Sequence, residues 1–376
     1  MPKQTAAVKL HRKIFLNAWP EQSRATWILV GLYSYALWYL LYSWRHINRA
    51  WKNYAPALKT QEGISKSDQL VSLLSLALLH SIPPSFYYHY RLYAYPKTEW
   101  LEFIYTHELP HWHSVMSPKL SKCSKKLMSD KHLFSEHMGK RGLPSINTIL
   151  CIVPGQEVIE RCVFKQRSIF LKPRHGSAKE GCYHLLYDKD SHGYILTSGN
   201  TKPIHGKEKI TFFLTTELKH HDYIIQPLLH NHPWFNAEGA LITIRLVTAI
   251  KHNAPKSISA TLEIPIQNDL RHTYLLAINC DSGKLIDTPS DLLHKKEDLP
   301  DTLNIEPLVN THLPQWERIK AVAEKAHSEC LDLATVGWDL ALTKDGIKLL
   351  EGNINWGVYS HQRLDNTLIQ NFTPML

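Results

Sequence analysis

Apolar and polar positions change their spacing several times along the chain. Residues 1–125 read as mainly helical, with Trp, Tyr and His interleaved. Residues 130–140 predict a further helix, closed by the turn Gly142-Leu143-Pro144 and followed by a strand at 148–153. From 157 to 230, short β-rich runs alternate with turn residues, which predicts strands at 161–164, 168–172, 182–187, 193–197, 210–214 and 222–227. A further strand is expected at 242–249, and an apolar run follows at 274–279. Behind Pro314, Trp316, Ile319, Val322, Ala323 and Ala326 recur at helical spacing and predict a helix over 314–331. Two apolar runs follow, 337–342 and 347–350, flanking Thr343-Lys344-Asp345-Gly346, a turn sequence that favours a tight hairpin. The pattern is that of an α+β chain.

Two apolar stretches bear on membranes. Twenty uncharged residues run from Ala25 to Trp44, about the length that spans a bilayer. Thr26, Gly31, Ser34 and Ser43 dilute the run, and its tryptophans and tyrosines are residues that prefer membrane interfaces to the hydrocarbon centre. Lys9, Arg12 and Lys13 precede it, and Arg45, Arg49 and Lys52 follow it, so an anionic surface could be met from either side. Three placements stay open for 25–44: a spanning helix, a helix lying on a membrane surface, and a helix packed on the catalytic core. The stretch 70–82 stops at Pro83-Pro84 after about thirteen residues, too short to span, and predicts a buried core helix.

Length and composition narrow the class. The 376 residues suffice for a large core and two or three lobes. A hydrophobic share of 44% with 20% charged residues indicates a globular chain without a long disordered tail. A formal charge of +9 suits anionic ligands. No zinc-finger spacing, RNP-like segment or dense basic run is present, so nucleic acid is not expected as a partner. The six cysteines form no C-x-x-C pair and the 23 histidines show no ligand spacing, which predicts reduced thiols and no histidine-bound metal. The first twenty residues hold several charges and no short apolar core, so no signal peptide is read, and the expected location is cytoplasmic, with or without membrane association.

The richest chemistry lies at the hairpin. Folding it brings Asp339 on one strand near Glu351 and Asn353 on the other. Three hard oxygen ligands then converge, a set that suits Mg²⁺, which keeps waters and substrate phosphates as its remaining ligands. A plain reading, in which Asp339 and Glu351 are two surface charges on an ordinary hairpin, competes with it. Upstream, Lys172-Pro173 ends a β-rich run and leads into Arg174-His175-Gly176-Ser177-Ala178-Lys179-Glu180-Gly181. The glycines and Ser177 let backbone N–H groups approach an anion, and the basic residues add charge.

These segments together resemble the ATP-grasp superfamily. The order Asp339, then Leu350-Glu351-Gly352-Asn353, is similar to its metal-binding hairpin. Asp130-Lys131-His132-Leu133-Phe134 with Gly142-Leu143-Pro144 resembles the helix that begins an ATP-grasp core, and Tyr223-Ile224-Ile225-Gln226-Pro227-Leu228-Leu229 resembles the strand and hinge that hold adenine. Thr243-Ile244-Arg245-Leu246-Val247-Thr248 looks like the strand of the sugar-transfer associated group, related to the glutamate-ligase type, and Pro84-Ser85-Phe86-Tyr87-Tyr88-His89-Tyr90-Arg91-Leu92 is similar to that group's N-terminal region. The resemblance spans roughly residues 80–376, and the loop after Lys172 holds fewer glycines than in many members.

The resemblance implies two α+β lobes clasping ATP, preceded by a mainly helical region: 1–125 helical, 126–230 the first part of the ATP-grasp core, and 231–376 the second lobe with the metal hairpin. It implies ATP and Mg²⁺ as ligands. Lys131, Lys172, Gly176, Ser177 and Gly181 would meet the phosphates, Gln226 and Leu228 the adenine, and Asp339, Glu351 and Asn353 the metal. Lys172 and Arg245 would serve in catalysis, Arg245 holding an acyl phosphate or a carboxylate; a structural salt bridge is the competing role for Arg245. Trp356, His361 and Arg363 are further candidates for the acceptor pocket, with a plain surface placement as the alternative. The implied activity is a carboxylate–amine ligase in cell-surface polysaccharide synthesis or modification, acting on a small-molecule or glycan acceptor. A phosphotransferase acting on a sugar or lipid-linked acceptor, and a non-catalytic nucleotide-binding module, are the alternatives.

Overall fold

The computed structural model describes residues 6–17, 24–153, 163–165, 167–176, 181–198, 202–216, 218, 221–266, 269–288, 299, 305–364 and 367–372. The chain packs as two compact units, one of residues 1–116, 288–297 and 357–376, the other of 117–287 and 298–356.

The first unit is helical. It contains α1 (Ala6–Asn17), α2 (Arg24–Leu37), α3 (Ser43–Glu62), α4 (Lys66–Leu74), α5 (Phe86–His89) and α6 (Leu109–Met116). A five-residue π-helical turn, Trp38–Tyr42, joins α2 to α3, and a second, Ser75–Leu79, follows α4. Ser65 caps α4 by accepting the Asp68 N–H at 3.1 Å. The core is aromatic, with Tyr88, Trp100, Phe103 and Tyr105 buried around Leu73, Leu76 and Ala77. The buried amide of Gln69 is satisfied within it. Its nitrogen donates to the Ala55 and Ile64 carbonyls, and its oxygen accepts from the Tyr88 hydroxyl at 3.0 Å. In the stretch 70–82, Leu73, Leu76, Ala77 and Ile82 are buried as expected of a core helix, but Val71 and Leu79 are exposed and the α-helix gives way to the π turn after Leu74. The uncharged run 25–44 becomes α2, the π turn and the start of α3. Among the described residues no helix is long and apolar enough to cross a membrane.

The second unit holds α7 (Lys122–Ser129), α8 (Lys131–Lys140), α9 (Lys207–Thr216), α10 (Trp316–His327) and two six-stranded sheets. The first sheet has the order β1-β6-β2-β3-β4-β5: β1 Leu150–Ile152, β2 Ile169–Pro173, β3 Tyr183–Tyr187, β4 Tyr194–Thr197, β5 Ile204–His205 and β6 Tyr223–Pro227. The second has the order β10-β9-β8-β7-β11-β12: β7 Thr243–Lys251, β8 Ala254–Ile266, β9 Asp269–Ile278, β10 Leu285–Asp287, β11 Thr335–Thr343 and β12 Gly346–Asn353. Neighbouring strands are antiparallel throughout.

Three sequence expectations need correction or completion. Residues 210–214, read as a strand, lie inside α9. Ile210 and Leu214 are one helical turn apart and both are buried, while Phe212 between them is exposed, so a helical period underlies what looks like a β-rich run. The strand expected at 161–164 falls partly on residues outside those described. Nothing in the apolar pattern announces β8, whose first half is polar. It is set by a hairpin in which His252 (φ 50°) and Asn253 (φ 63°) both adopt left-handed conformations, the geometry of a tight two-residue turn.

Candidate functional site

Alternation along the strands gives each sheet of the second unit a core face and a cleft face. In the first sheet Ile169, Leu171, Leu185, Leu196 and Ile225 enter a core shared with Ile210 and Leu214 of α9. Their neighbours Phe170, Lys172, His184, Leu186, Thr197 and Gln226 point the other way, into a cleft of about 920 Å³. In the second sheet Ile244, Leu246, Leu262, Trp338 and Leu340 are core, whereas Thr243, Arg245, Glu263, Asp339 and Glu351 line the same cleft.

Register assembles the charged row. Asp339 is paired with Arg245 across β11–β7 and with Glu351 across β11–β12, so three residues distant in sequence face the cleft from three adjacent strands. Arg245 grips Asp339 with two donors, Nε to Oδ1 at 2.6 Å and a terminal nitrogen to Oδ2 at 3.0 Å, and its Nε lies 3.6 Å from Glu263. The adjoining carboxylates push the Arg245 pKa up from its already high value. Asn353 Nδ2 donates to Asp339 Oδ2 at 3.1 Å. Glu351 is held above the usual carboxylate range, first by enclosure in the cleft and then by the Asp339 charge beside it. Between Glu351 and Asn353, Gly352 allows a close approach: a Cβ there would meet Met128 Sδ at 2.7 Å and the Trp338 ring at 2.8 Å.

Cations face this acidic pair. Lys172 is buried, 8% exposed, and burial pulls its pKa below the normal lysine value. Lys131 opens α8; its Nζ donates to the Gly176 carbonyl at 2.6 Å and lies 3.9 Å from Glu351. Asp130 fixes that helix start by accepting the His132 and Leu133 N–H groups at 3.1 Å each. It also takes both donors of Arg174, at 2.9 and 2.7 Å, and together these contacts pull its carboxyl down to about 2. The Lys131 N–H donates to the Arg174 carbonyl, so α8 and the end of β2 are tied by main chain and side chain alike. On the far side, the turn after α8 is sewn to β12, where the Leu349 N–H donates to the Pro144 carbonyl at 2.9 Å.

Lys131, Lys172, Gly176, Gln226, Leu228, Arg245, Asp339 and Glu351 therefore line one cleft, with Asn353 hydrogen-bonded to Asp339 beside it. Gln226 is buried; its amide nitrogen donates to the Ile146 carbonyl, and its Oε1 has no partner among the described residues. Gly176 takes φ 103°, a left-handed conformation that suits glycine. Gly181 sits instead against the Tyr223 hydroxyl and Pro173. Ser177 lies outside the described residues. Trp356 is core, its ring nitrogen donating to Thr335 Oγ1 at 3.1 Å. His361 and Arg363 belong to the helical unit and are buried there, Arg363 over the Tyr359 ring. A surface placement for these three is thus wrong. The sequence reading missed Glu263 and the Asp130–Arg174 pair. Glu263 stands in an unannounced strand, and no short spacing links partners 44 residues apart.

The arrangement can hold a polyanion between buried and half-buried lysines while two carboxylates and an amide oxygen, the last after a half-turn of the Asn353 amide, offer hard oxygen donors to a divalent ion. Solved structures of known proteins are similar to the chain only distantly. A D-alanine–D-alanine ligase structure from Helicobacter pylori aligns at 12% identity and TM-score 0.38, over 66% of this chain and 61% of that one. The D-alanine–D-alanine ligase from Bacillus anthracis complexed with ATP aligns at 12% identity and TM-score 0.38, over 67% and 68%. D-cycloserine synthetase DcsG aligns at 13% identity and TM-score 0.38, over 72% and 77%. The chain thus spans about three fifths of the Helicobacter pylori ligase. No curated protein sequence matches it. At such distances the structures carry no assignment by themselves. The sequence profile of the sugar-transfer associated ATP-grasp family does, since it matches residues 111–371: the chain belongs to that family and has the ATP-grasp fold.

Proposed function

We propose that the protein is an ATP- and Mg²⁺-dependent ligase that joins a carboxylate to an amine on a cell-surface glycan or its precursor. The observation that supports it most is the Arg245–Asp339–Glu351 row facing Lys131 and Lys172 across one cleft. Adenine would lie by Gln226 and Leu228, where the buried Gln226 Oε1 offers an acceptor for an exocyclic amino group. Lys131 and Lys172 would bind the phosphates, with Gly176, Ser177 and Gly181 as the loop next to them. Asp339, Glu351 and Asn353 would hold magnesium. Their donor set fits it, because Glu351, whose pKa is raised first by burial and then by the Asp339 charge, gains with Asp339 from a cation between them. Bound there, the ion would neutralise charge on the transferring phosphate.

The acceptor carboxylate oxygen attacks the γ-phosphorus, the bond to the ADP oxygen breaks, and an acyl phosphate forms. The amine then attacks the acyl carbon, phosphate leaves, and the amine loses a proton. Arg245, fixed by Asp339 and close to Glu263, presents its remaining donors to the acyl phosphate or carboxylate. Incubating the protein with Mg·ATP, a cell extract and hydroxylamine tests this. An acyl hydroxamate formed together with ADP is expected. A phosphorylated sugar or lipid product without hydroxamate would assign the phosphotransferase reading, and no ADP under any condition would assign a module without turnover.

A further inference from the structure

Helix α2 and the π turn after it present large apolar side chains to solvent. Leu29, Leu32, Tyr33 and Leu40 are 67, 64, 66 and 72% exposed, and Ile28, Tyr35, Leu41, Tyr42 and Trp44 are exposed as well. Such a contiguous patch marks an interaction surface. The segment is also held in place. Trp38 donates to the Ala77 carbonyl at 2.9 Å, Tyr39 donates to the Leu78 carbonyl at 2.6 Å, and Ser43, Ile47 and Ala50 are buried beneath the start of α3. The exposed side chains are therefore displayed by an anchored helix.

Charge selects the occupant. Residues 1–61 contain nine lysines and arginines against one acidic residue, Glu21. Arg45, Arg49 and Lys52, just past the apolar patch, are exposed and make no ion pair among the described residues. Apolar side chains with tyrosine and tryptophan among them, next to a basic segment with no acidic residue between Glu21 and Glu62, match the interface of an anionic bilayer: acyl chains for leucines, headgroup level for aromatic rings, and phosphate for arginine. A second copy of the chain would bring the same positive charge to this face and repel it.

We infer that residues 24–52 dock the protein on an anionic lipid surface without crossing it. The inference does not depend on the nucleotide site. Full-length protein is co-sedimented with phosphatidylcholine vesicles with and without phosphatidylglycerol at about a third of the lipid. The expected result is binding at least about tenfold tighter to the anionic vesicles, weakened by salt. Two variants, Leu29→Glu/Leu32→Glu/Leu40→Glu and Arg45→Glu/Arg49→Glu/Lys52→Glu, should each lose it. All six positions are exposed, so both variants should keep the wild-type circular dichroism and Mg·ATP affinity. Equal binding to neutral and anionic vesicles, no binding to either, or a dimer in sedimentation velocity that the leucine variant dissolves would overturn the inference.

Discussion

Asp339 stands between Arg245 on one strand and Glu351 on the other, so its loss touches both stability and ligand binding. Asp339→Asn leaves a buried guanidinium facing a neutral amide, and the apo protein should lose about 2 kcal/mol in urea unfolding. Lys172→Met should act oppositely. Its ammonium is disfavoured by burial, so the apo protein should hold or gain stability while nucleotide binding falls. A stability loss at Lys172→Met as large as that at Asp339→Asn would give the lysine a structural role. Asp130 adds a pH signature. Its carboxyl is held at about 2, below the unfolded value of about 3.9, so the stabilisation is present above the unfolded value and lost as pH falls through about 2. The difference in stability between wild type and Arg174→Ala should shrink over that window; a difference that stays constant from pH 5 to about 2 would contradict the pairing. That Lys172, Asp339 and Glu351 line one cleft was legible because each sits at a fixed place in a short pattern. Arg174 and Glu263 were not, since their roles come from partners brought in by the fold.

Among elements, the hairpin of β11 and β12 was the clearest in the sequence: two apolar runs on either side of Thr-Lys-Asp-Gly leave few alternatives. α9 was misread, because a run of Ile, Thr and Phe carries β propensity until Gly206 and the spacing of Ile210 and Leu214 set a helix. α10 was read correctly from its apolar period, but its buried His327 was not. Its Nε2 donates to the Leu333 carbonyl at 2.7 Å, so Nδ1 of the neutral ring accepts from the Thr248 hydroxyl at 2.7 Å, while Trp338 Nε1 donates to the same Thr248 oxygen at 2.7 Å. The network links α10 to β7 and β11 beneath the charged row. Thr248→Val would leave the Trp338 N–H and one His327 nitrogen without a partner and should cost about 2 kcal/mol. Burial holds the His327 pKa below its unfolded value, so its stabilisation is complete above about 6.5 and declines as pH falls through the lower folded value. Urea midpoints for wild type and Thr248→Val at pH 7 check the cost; a change within experimental scatter would show that the network contributes nothing.

For the molecule as a whole, the chain joins a helical unit with an exposed apolar and basic segment to an ATP-grasp unit in which two sheets enclose a charged cleft. The excess positive charge visible in the composition is concentrated in residues 1–61, whereas Lys131, Lys172 and Arg245 of the cleft are matched by Glu263, Asp339 and Glu351. Fold class was legible from the order of motifs. The acceptor was not, because no motif here encodes one. Calorimetric titration of ATP into the full-length protein, in Mg²⁺ and in EDTA, for wild type and for Glu351→Gln, tests the central claim most directly. Wild type should bind at least about tenfold more tightly with Mg²⁺, about 1.4 kcal/mol, and Glu351→Gln should lose most of that difference. Equal affinity with and without Mg²⁺ in wild type would contradict the assignment of Asp339, Glu351 and Asn353 as the metal-holding set.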